Sequence, residues 1–359
     1  MEKKKISIIG LGLIGGSIAK ALKKSELSYI VESYDKKEVL KKALSEKTIE
    51  FALDSIESSA NSDFIFLCLP TEISLEVLGK LAPLISSSTV ITDVCGMKGI
   101  FENKWKKLNS KGIYIGGHPM TGKEANGYIN SDPLLFENAV YIISSSAEKN
   151  ERLNELVNIV EHFGARVRFL DPFLHDKVIA RVSHLPQLLS VALVNSTFQD
   201  GDEVNYLDFA AGGFRDMTRI ASSDFDIWKA ICKLNREEII TSIEVIHQNL
   251  TQIEDLLEGG AIDNLEVLFH QARERRDEIP KNTKGFINPL FDVFVYVKDE
   301  PGVLSNLTTL LYKNNINIKD IELLKIREGT GGTFRISFDS EKNANKARLL
   351  IEQSGFATR

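Results

Sequence analysis

One histidine stands after an apolar run, between glycines and a proline, in "GIYIGGHPMTGKEANG", residues 112–127. There His118 is a packed loop residue, a metal ligand or a catalytic base. The metal reading is weak. His162, His175, His247 and His270 lack HxxxH or HExxH spacing, so they are read as helix-surface or packing residues and no metal is expected. A second chemical pattern is Arg215 and Arg219 in "AAGGFRDMTRIASSDFDIWKAI", with Asp216 beside them. An i, i+4 spacing on a helix puts both guanidinium groups on one face. That is either a solvated charge pair or a bidentate clamp for a small dicarboxylate.

A third pattern is "KKISIIGLGLIGGSIAKALKK", which reads as a buried strand, a glycine turn and a helix. Gly10, Gly12 and Gly15 fit G-x-G-x-x-G: a tight turn, backbone approach to a pyrophosphate, and close packing of helix on strand. Free N–H groups at the helix start then face the phosphates, with Leu13 and Ile14 in the same turn. Asp35 ends the next apolar run, 20 residues after Gly15. An acid there accepts from ribose hydroxyls and repels a 2′-phosphate, which favours NAD over NADP. Lys36 and Lys37 blunt that repulsion, and a surface Asp in a turn is the alternative reading.

The elements that position these groups alternate. "DFIFLCLP", "STVITDVCG", "GIYIGGHP", "NAVYIISSS" and "ARVRFLD" read as strands separated by helical segments, which predicts a doubly wound parallel sheet of Rossmann type over 1–171. Ligands of such sheets sit outside the carboxyl ends of the strands. Leu69, Pro70 and Asp93, at two of those ends, complete the expected cofactor surface, and the "GGHPMTG" loop faces the nicotinamide.

Residues 172–282 read as helix after helix. "DKVIARVSHLPQLLSVALVNSTF" is apolar on much of its circumference, is interrupted by Pro186, and suits a dimer interface. Arg273, Arg275 and Arg276 read as a solvated helix face. After the polar linker "PKNTKGFINP", residues 289–359 show the order βαββα(β), an α+β unit of ferredoxin-like type without a catalytic constellation. Binding or regulation is the expectation there.

A net charge of −6 with no extended basic cluster argues against a nucleic-acid binder. Cys68, Cys95 and Cys232 are odd in number and scattered, which predicts a reducing, cytoplasmic setting without disulfides. The apolar run behind "MEKKK" is too glycine-rich for a signal peptide, and no uninterrupted apolar run has membrane-spanning length.

Together "GLGLIGGSIAKAL", "TDVCGMK", "GGHPMTGKEANG", "SHLPQLL" and "GGFRDMTRIASSD" resemble the prephenate dehydrogenase family over essentially the whole chain. "DEPGVLSNLTTLLYKNNINI" resembles an ACT domain. The resemblance implies oxidative decarboxylation of prephenate to 4-hydroxyphenylpyruvate with NAD, in tyrosine synthesis, by a homodimer. It puts the catalytic base on His118 and the ring-carboxylate arginine on Arg219, with Arg215 as a second cation. Asp216 and Glu124 then belong to the acidic partners of that arginine, and His184 is a pocket residue. Many relatives have serine where this chain has Gly96, histidine where it has Gln187, and threonine where it has Lys123. The ACT resemblance points to Asp299, Gly302 and Asn317 as an effector site for tyrosine, against a purely dimer-forming module. The alternatives are an arogenate dehydrogenase, a hydroxyacid dehydrogenase of the 6-phosphogluconate type, and a non-catalytic NAD and amino-acid sensor.

Overall fold

The structure, a computed structural model, describes residues 3–24, 29–123, 125–144, 152–198, 204–278, 290–327 and 331–358. Glu124 and the linker residues 280–289 lie outside them. Contacts divide the chain into two units, Met1–Glu266 and Val267–Arg359.

The first unit starts with β1 (Lys5–Ile9), whose last four residues are buried. Gly10 follows at φ +99°, where a Cβ would lie 2.6 Å from the Cys68 carbonyl oxygen. Helix α1 (Leu13–Lys24) then packs so closely that a Cβ on Gly15 would sit 1.9 Å from the Gly10 carbonyl oxygen. Only glycine permits both contacts, so the loop geometry is dictated by composition.

Strand β2 (Ile30–Tyr34), helix α2 (Lys37–Ser45), strand β3 (Phe51–Ala52) and strand β4 (Phe64–Leu67) follow. After them come α3 (Thr71–Leu81), β5 (Val90–Asp93), α4 (Gly99–Trp105) and β6 (Ile113–Tyr114). The six strands form one parallel sheet in the order β3-β2-β1-β4-β5-β6. Both faces are covered: Phe64 and Phe66 of β4 join one core, Ile65 and Leu67 the other. That explains why these strands read as unbroken apolar runs. The order reverses between β1 and β4, which opens a crevice at the strand ends Gly10, Cys68 and Val94.

The remaining strands depart from the expected single parallel sheet. "GIYIGGHP" is split into β6 and a separate β7 (Gly117–Pro119). The latter pairs antiparallel with β8 (Val140–Ser144), and after helix α5 (Leu153–His162) strand β9 (Arg166–Leu170) pairs parallel with β8. The cause is the glycine pair. A Cβ on Gly116 would meet Ser144 Oγ at 2.8 Å, and one on Gly117 would meet Tyr141 Oη at 2.7 Å and the Asp93 carbonyl at 2.8 Å. The chain therefore leaves the large sheet where no side chain obstructs it, and turns His118 toward the strand ends.

Asp171 caps the next helix, α6 (Pro172–Ile179), accepting from the amides of Phe173 and Leu174 at 2.9 and 3.0 Å. Pro186 does not break this segment. A π-helical stretch, Ala180–His184, joins α6 to α7 (Leu185–Asn195), and the amide of Leu185 reaches the Ala180 carbonyl. Pro186 has no N–H for the Val182 carbonyl, and the wider turn absorbs that missing bond. The joined helix Pro172–Asn195 has the length and mean hydropathy of a membrane span, but Asp176, Lys177 and Arg181 interrupt its apolar run, as the sequence expectation requires. His175, His184, Gln187 and Ser190 turn inward from it, whereas Val182, Leu189 and Val191 are exposed.

Short α8 (Gly212–Thr218), a 3₁₀ turn (Arg219–Ser222), α9 (Phe225–Leu234), α10 (Arg236–Glu258) and α11 (Ile262–Asp277) complete the helical region. The second unit contains β10 (Phe291–Val297), α12 (Val303–Lys313), β11 (Asp320–Arg327), β12 (Gly331–Phe338), α13 (Glu341–Gln353) and β13 (Ala357–Thr358). Its antiparallel sheet runs β11-β12-β10-β13, and Val293, Val295, Leu307, Leu311, Ile336 and Ile351 share its core.

The glycine contacts make a paired prediction. Gly15→Ala puts a methyl group into backbone and should cost about 1–3 kcal/mol of stability, read as a lower denaturant midpoint. Gly12→Ala meets nothing within 4 Å and should leave the midpoint close to that of the parent.

Candidate active site

The glycine loop is tied to the end of β2. Gly10 N donates to the Tyr34 carbonyl at 2.9 Å, and Leu11 N donates to Asp35 Oδ2. Asp35 is half-buried and its other oxygen accepts from Lys36 N. The acid therefore organises the loop as well as presenting negative charge at its rim. Gly12, by contrast, faces open space, so the backbone between Gly10 and the start of α1 is accessible to a ligand. Leu13 is buried and Ile14 half-buried on that first turn, while Leu69 and Pro70 end the adjacent loop. These residues fit a dinucleotide: a pyrophosphate can approach an open glycine backbone and the free amides of a helix start.

Asp93 departs from its expected place on the cofactor surface. It is fully buried; one carboxylate oxygen accepts from Lys98 Nζ and from Cys95 N at 2.8 Å, and the other accepts from Tyr114 Oη at 2.6 Å. A carboxylate so sequestered supports the site from below. Lys98 is equally buried and also donates to the Gly117 carbonyl at 2.6 Å, so this ion pair fixes the backbone that carries His118. Burial beside Asp93 pushes the Cys95 thiol up to about 12, which keeps it neutral.

His118 is half-buried. Its Nδ1 lies 2.9 Å from Nε2 of His175, and His175 Nδ1 donates to Asp176 Oδ1 at 2.8 Å. The Asp176 carboxylate also accepts from Lys98 N at 2.7 Å and Gly99 N at 2.8 Å. His175, expected in ordinary packing, is thus completely buried at the centre of a three-residue chain. The signal available in the sequence was the His-Asp pair on a largely apolar helix: a buried imidazole must find partners for both nitrogens. Gly96 faces the other edge of the His118 ring, where an added Cβ would come 3.8 Å from Nε2. Burial above all, with Lys98 and the crowding of the other histidines adding to it, holds the His118 ring well below the usual histidine range.

His184 is buried on the π turn, edge-on to Trp228, with Nδ1 3.3 Å from Asn235 Nδ2. Burial lowers it to about 4. Asn235 also donates to the Asp176 carbonyl at 3.0 Å, which links the two histidine clusters. Gln187 is buried and donates to the Ile220 carbonyl at 2.8 Å, so it pins the turn that begins at Arg219. Arg215 lies on α8 and Arg219 on the following turn rather than on one longer helix, and both are exposed, as is Asp216. Lys123, expected at the pocket mouth, pairs with Asp132 at 2.8 Å on the surface. His162, His247 and His270 lie exposed on helices. Among the described residues no group of three or more potential ligands could hold a metal ion.

In the second unit, Asp299 and Gly302 line a cleft of about 190 Å³ together with Leu304, Leu323 and Phe334. Asn317 is exposed and is not among the lining residues, so the single chain does not bring the three expected effector residues together.

A glycine loop at the switch point of this sheet, with a histidine held neutral near the end of β5, defines a dinucleotide-dependent dehydrogenase. Residues 18–169 match the prephenate dehydrogenase nucleotide-binding domain, residues 171–271 the prephenate dehydrogenase dimerization domain, and residues 291–350 the ACT domain. The chain is 33% identical to a prephenate dehydrogenase of Bacillus subtilis over 356 residues, covering 98% of this chain and 96% of that one. The crystal structure of prephenate dehydrogenase from A. aeolicus in complex with hydroxyphenyl propionate and NAD+ superimposes with a TM-score of 0.69 at 30% identity, over 78% of this chain and 99% of that one. A Synechocystis arogenate dehydrogenase has the same TM-score, 0.69, at 28% identity, over 76% of this chain and 99% of that one. The chain belongs to the prephenate dehydrogenase family.

An imidazole accepts a proton only when neutral, so activity that depends on His118 should be lost on acidification only as the pH passes its depressed value. The acid limb of kcat/KM should therefore lie below the ordinary histidine range, as a pH–rate profile would show.

Proposed function

We infer that this chain is an NAD-dependent prephenate dehydrogenase of tyrosine synthesis, which converts prephenate to 4-hydroxyphenylpyruvate and CO2. The observations that carry the reading are an open glycine loop at the switch point of the parallel sheet and a half-buried histidine that turns Nε2 toward Gly96, just past the end of β5. Kinship over nearly the full length supports it. Residues 1–171 form the cofactor domain, 172–282 the substrate and dimerisation domain, and 289–359 the regulatory domain. The setting is the cytoplasm.

NAD, bound at Gly10, Gly12 and Gly15 with its ribose at Asp35, supplies the hydride acceptor. The negative Asp35 opposes a 2′-phosphate. His118 Nε2 takes the proton of the ring hydroxyl as the carbon bearing it is oxidised. Loss of CO2 then aromatises the ring, and the same nitrogen returns the proton to the same oxygen. Arg219 binds the ring carboxylate, with Arg215 as a second cation and Asp216 and Glu124 as acidic partners. His184 and Gln187 shape the pocket from the long helix, Gly96 leaves room above His118, and Lys123 stands at the mouth. Leu69, Pro70 and the buried Asp93 support the nicotinamide side.

The apolar residues left exposed on α7 and α10, among them Leu189, Val191, Ile243 and Leu250, suit a homodimer. The cleft at Asp299 and Gly302 suits an amino-acid effector, and tyrosine is the one chemistry favours as the product of the route. Titration calorimetry should give heat with tyrosine, and turnover should fall. A flat titration with unchanged turnover would end the regulatory reading.

NADH formation with prephenate tests the assignment, with arogenate run in parallel; faster turnover of arogenate would replace the substrate. His118→Asn should lower kcat by about 10²-fold or more with NAD affinity intact. Arg219→Ala should act mainly on KM, raising it by about ten- to a hundredfold through the lost charge-assisted contact. Near-normal turnover by His118→Asn would remove the base assignment.

A further inference from the structure

We propose that His175, backed by Asp176, is the positioning residue of His118: it fixes the proton of the resting ring on Nδ1 and steadies the imidazolium that forms when Nε2 accepts the substrate proton. This rests on the functional reading above and deepens it. Three observations carry it. The Nδ1 edge of His118 is engaged at 2.9 Å by His175 Nε2, so the reactive nitrogen is the opposite one, facing Gly96. His175 is completely buried, and its own Nδ1 donates to Asp176 at 2.8 Å, which leaves Nε2 as an acceptor. Asp176 is held by two backbone amides, those of Lys98 and Gly99, at 2.7 and 2.8 Å. The proton order is then unique: His118 Nδ1–H donates to His175 Nε2, His175 Nδ1–H donates to Asp176, and His118 Nε2 carries the free lone pair.

The alternative tautomer would put a proton on the nitrogen that must act as the base. Free imidazole does not choose the required form by itself, so the neighbour must impose it. Residue 96 cannot do so from the Nδ1 side. It faces Nε2, and as glycine it offers no side-chain partner at all. Orientation of the ring therefore falls to His175. The remaining charged neighbours suit the same arrangement. Lys98 directs its ammonium into Asp93 and the Gly117 carbonyl, away from competition for His118 Nδ1, and His184 is engaged with Asn235.

The proton balance calls for a device that holds rather than discards. The hydroxyl proton moves to Nε2 as the hydride leaves the ring carbon. When the bond to the carboxyl carbon breaks, its electron pair enters the ring, CO2 departs, and the resulting phenolate oxygen recovers that proton. Nothing is released to solvent, and the transient charge on His118 is stabilised through His175 by the Asp176 carboxylate.

Two measurements on the full-length protein test this. Isotope-labelled histidine nitrogen spectra should show His118 of the parent protein unprotonated at Nε2. His175→Leu should lower kcat by about 10²- to 10³-fold, with KM for prephenate and affinity for NAD within about threefold of the parent. His175→Gln, which keeps an acceptor for His118 and a donor for Asp176, should recover about tenfold or more of that loss. An Nε2–H tautomer in an active parent would overturn the proposal, as would equal turnover by the Leu and Gln variants. Failure of the parent to oxidise prephenate would instead strike the functional reading, and the tautomer would still decide the positioning role.

Discussion

The carboxylate of Asp176 joins two parts of the first unit. It is carried by α6, on the helical side, yet two of its three donors are the opening amides of α4, which follows a strand of the parallel sheet. The third is the ring of His175. Charge-assisted bonds of this type contribute about 1.5–3 kcal/mol each, and each also fixes a direction. The position of α6 over the strand ends, the rotation of His175 and the placing of Asn235 against the Asp176 carbonyl all follow from one anchored group. Beneath it, Asp93 and Lys98 do the same for the backbone of β7. Both walls of the crevice are thus pinned by carboxylates, which fixes the angle at which the His118 ring is presented.

Much of this was legible because it is local. The turn at Gly10, the packing at Gly15 and Asp35 beneath the loop lie within one βαβ unit, where spacing in sequence is spacing in space. The alternation of strand and helix likewise announced the sheet. What escaped were relations across long separations or within uniform runs. "GIYIGGHP" reads as one strand because Ile113, Tyr114 and Ile115 are apolar, and the exit at Gly116 depends on Ser144 and Tyr141, far along the chain. Asp93 reads as part of the cofactor surface at a strand end, and only the packing of Lys98 and Tyr114 against it shows that it is buried. His175 is 57 positions from His118, and no spacing rule connects them. The arginines were placed on one helix by their i, i+4 spacing, whereas α8 ends at Thr218 and Arg219 opens a tighter turn.

The π-helical stretch Ala180–His184 has a consequence of a different kind. Such a turn is an α-helix with one residue in excess, and each helical residue advances the side chains by about 100°. Deleting a single residue there would restore an ordinary ladder, but it would also turn α7 by about that angle relative to α6. Gln187 would swing away from the Ile220 carbonyl and Ser190 out of the interior, with every substitution-sensitive side chain still present. The segment therefore stores its information as a count. In lineage terms it should accept exchanges of residue type far more readily than any gain or loss of length, because an insertion or deletion is read as a rotation.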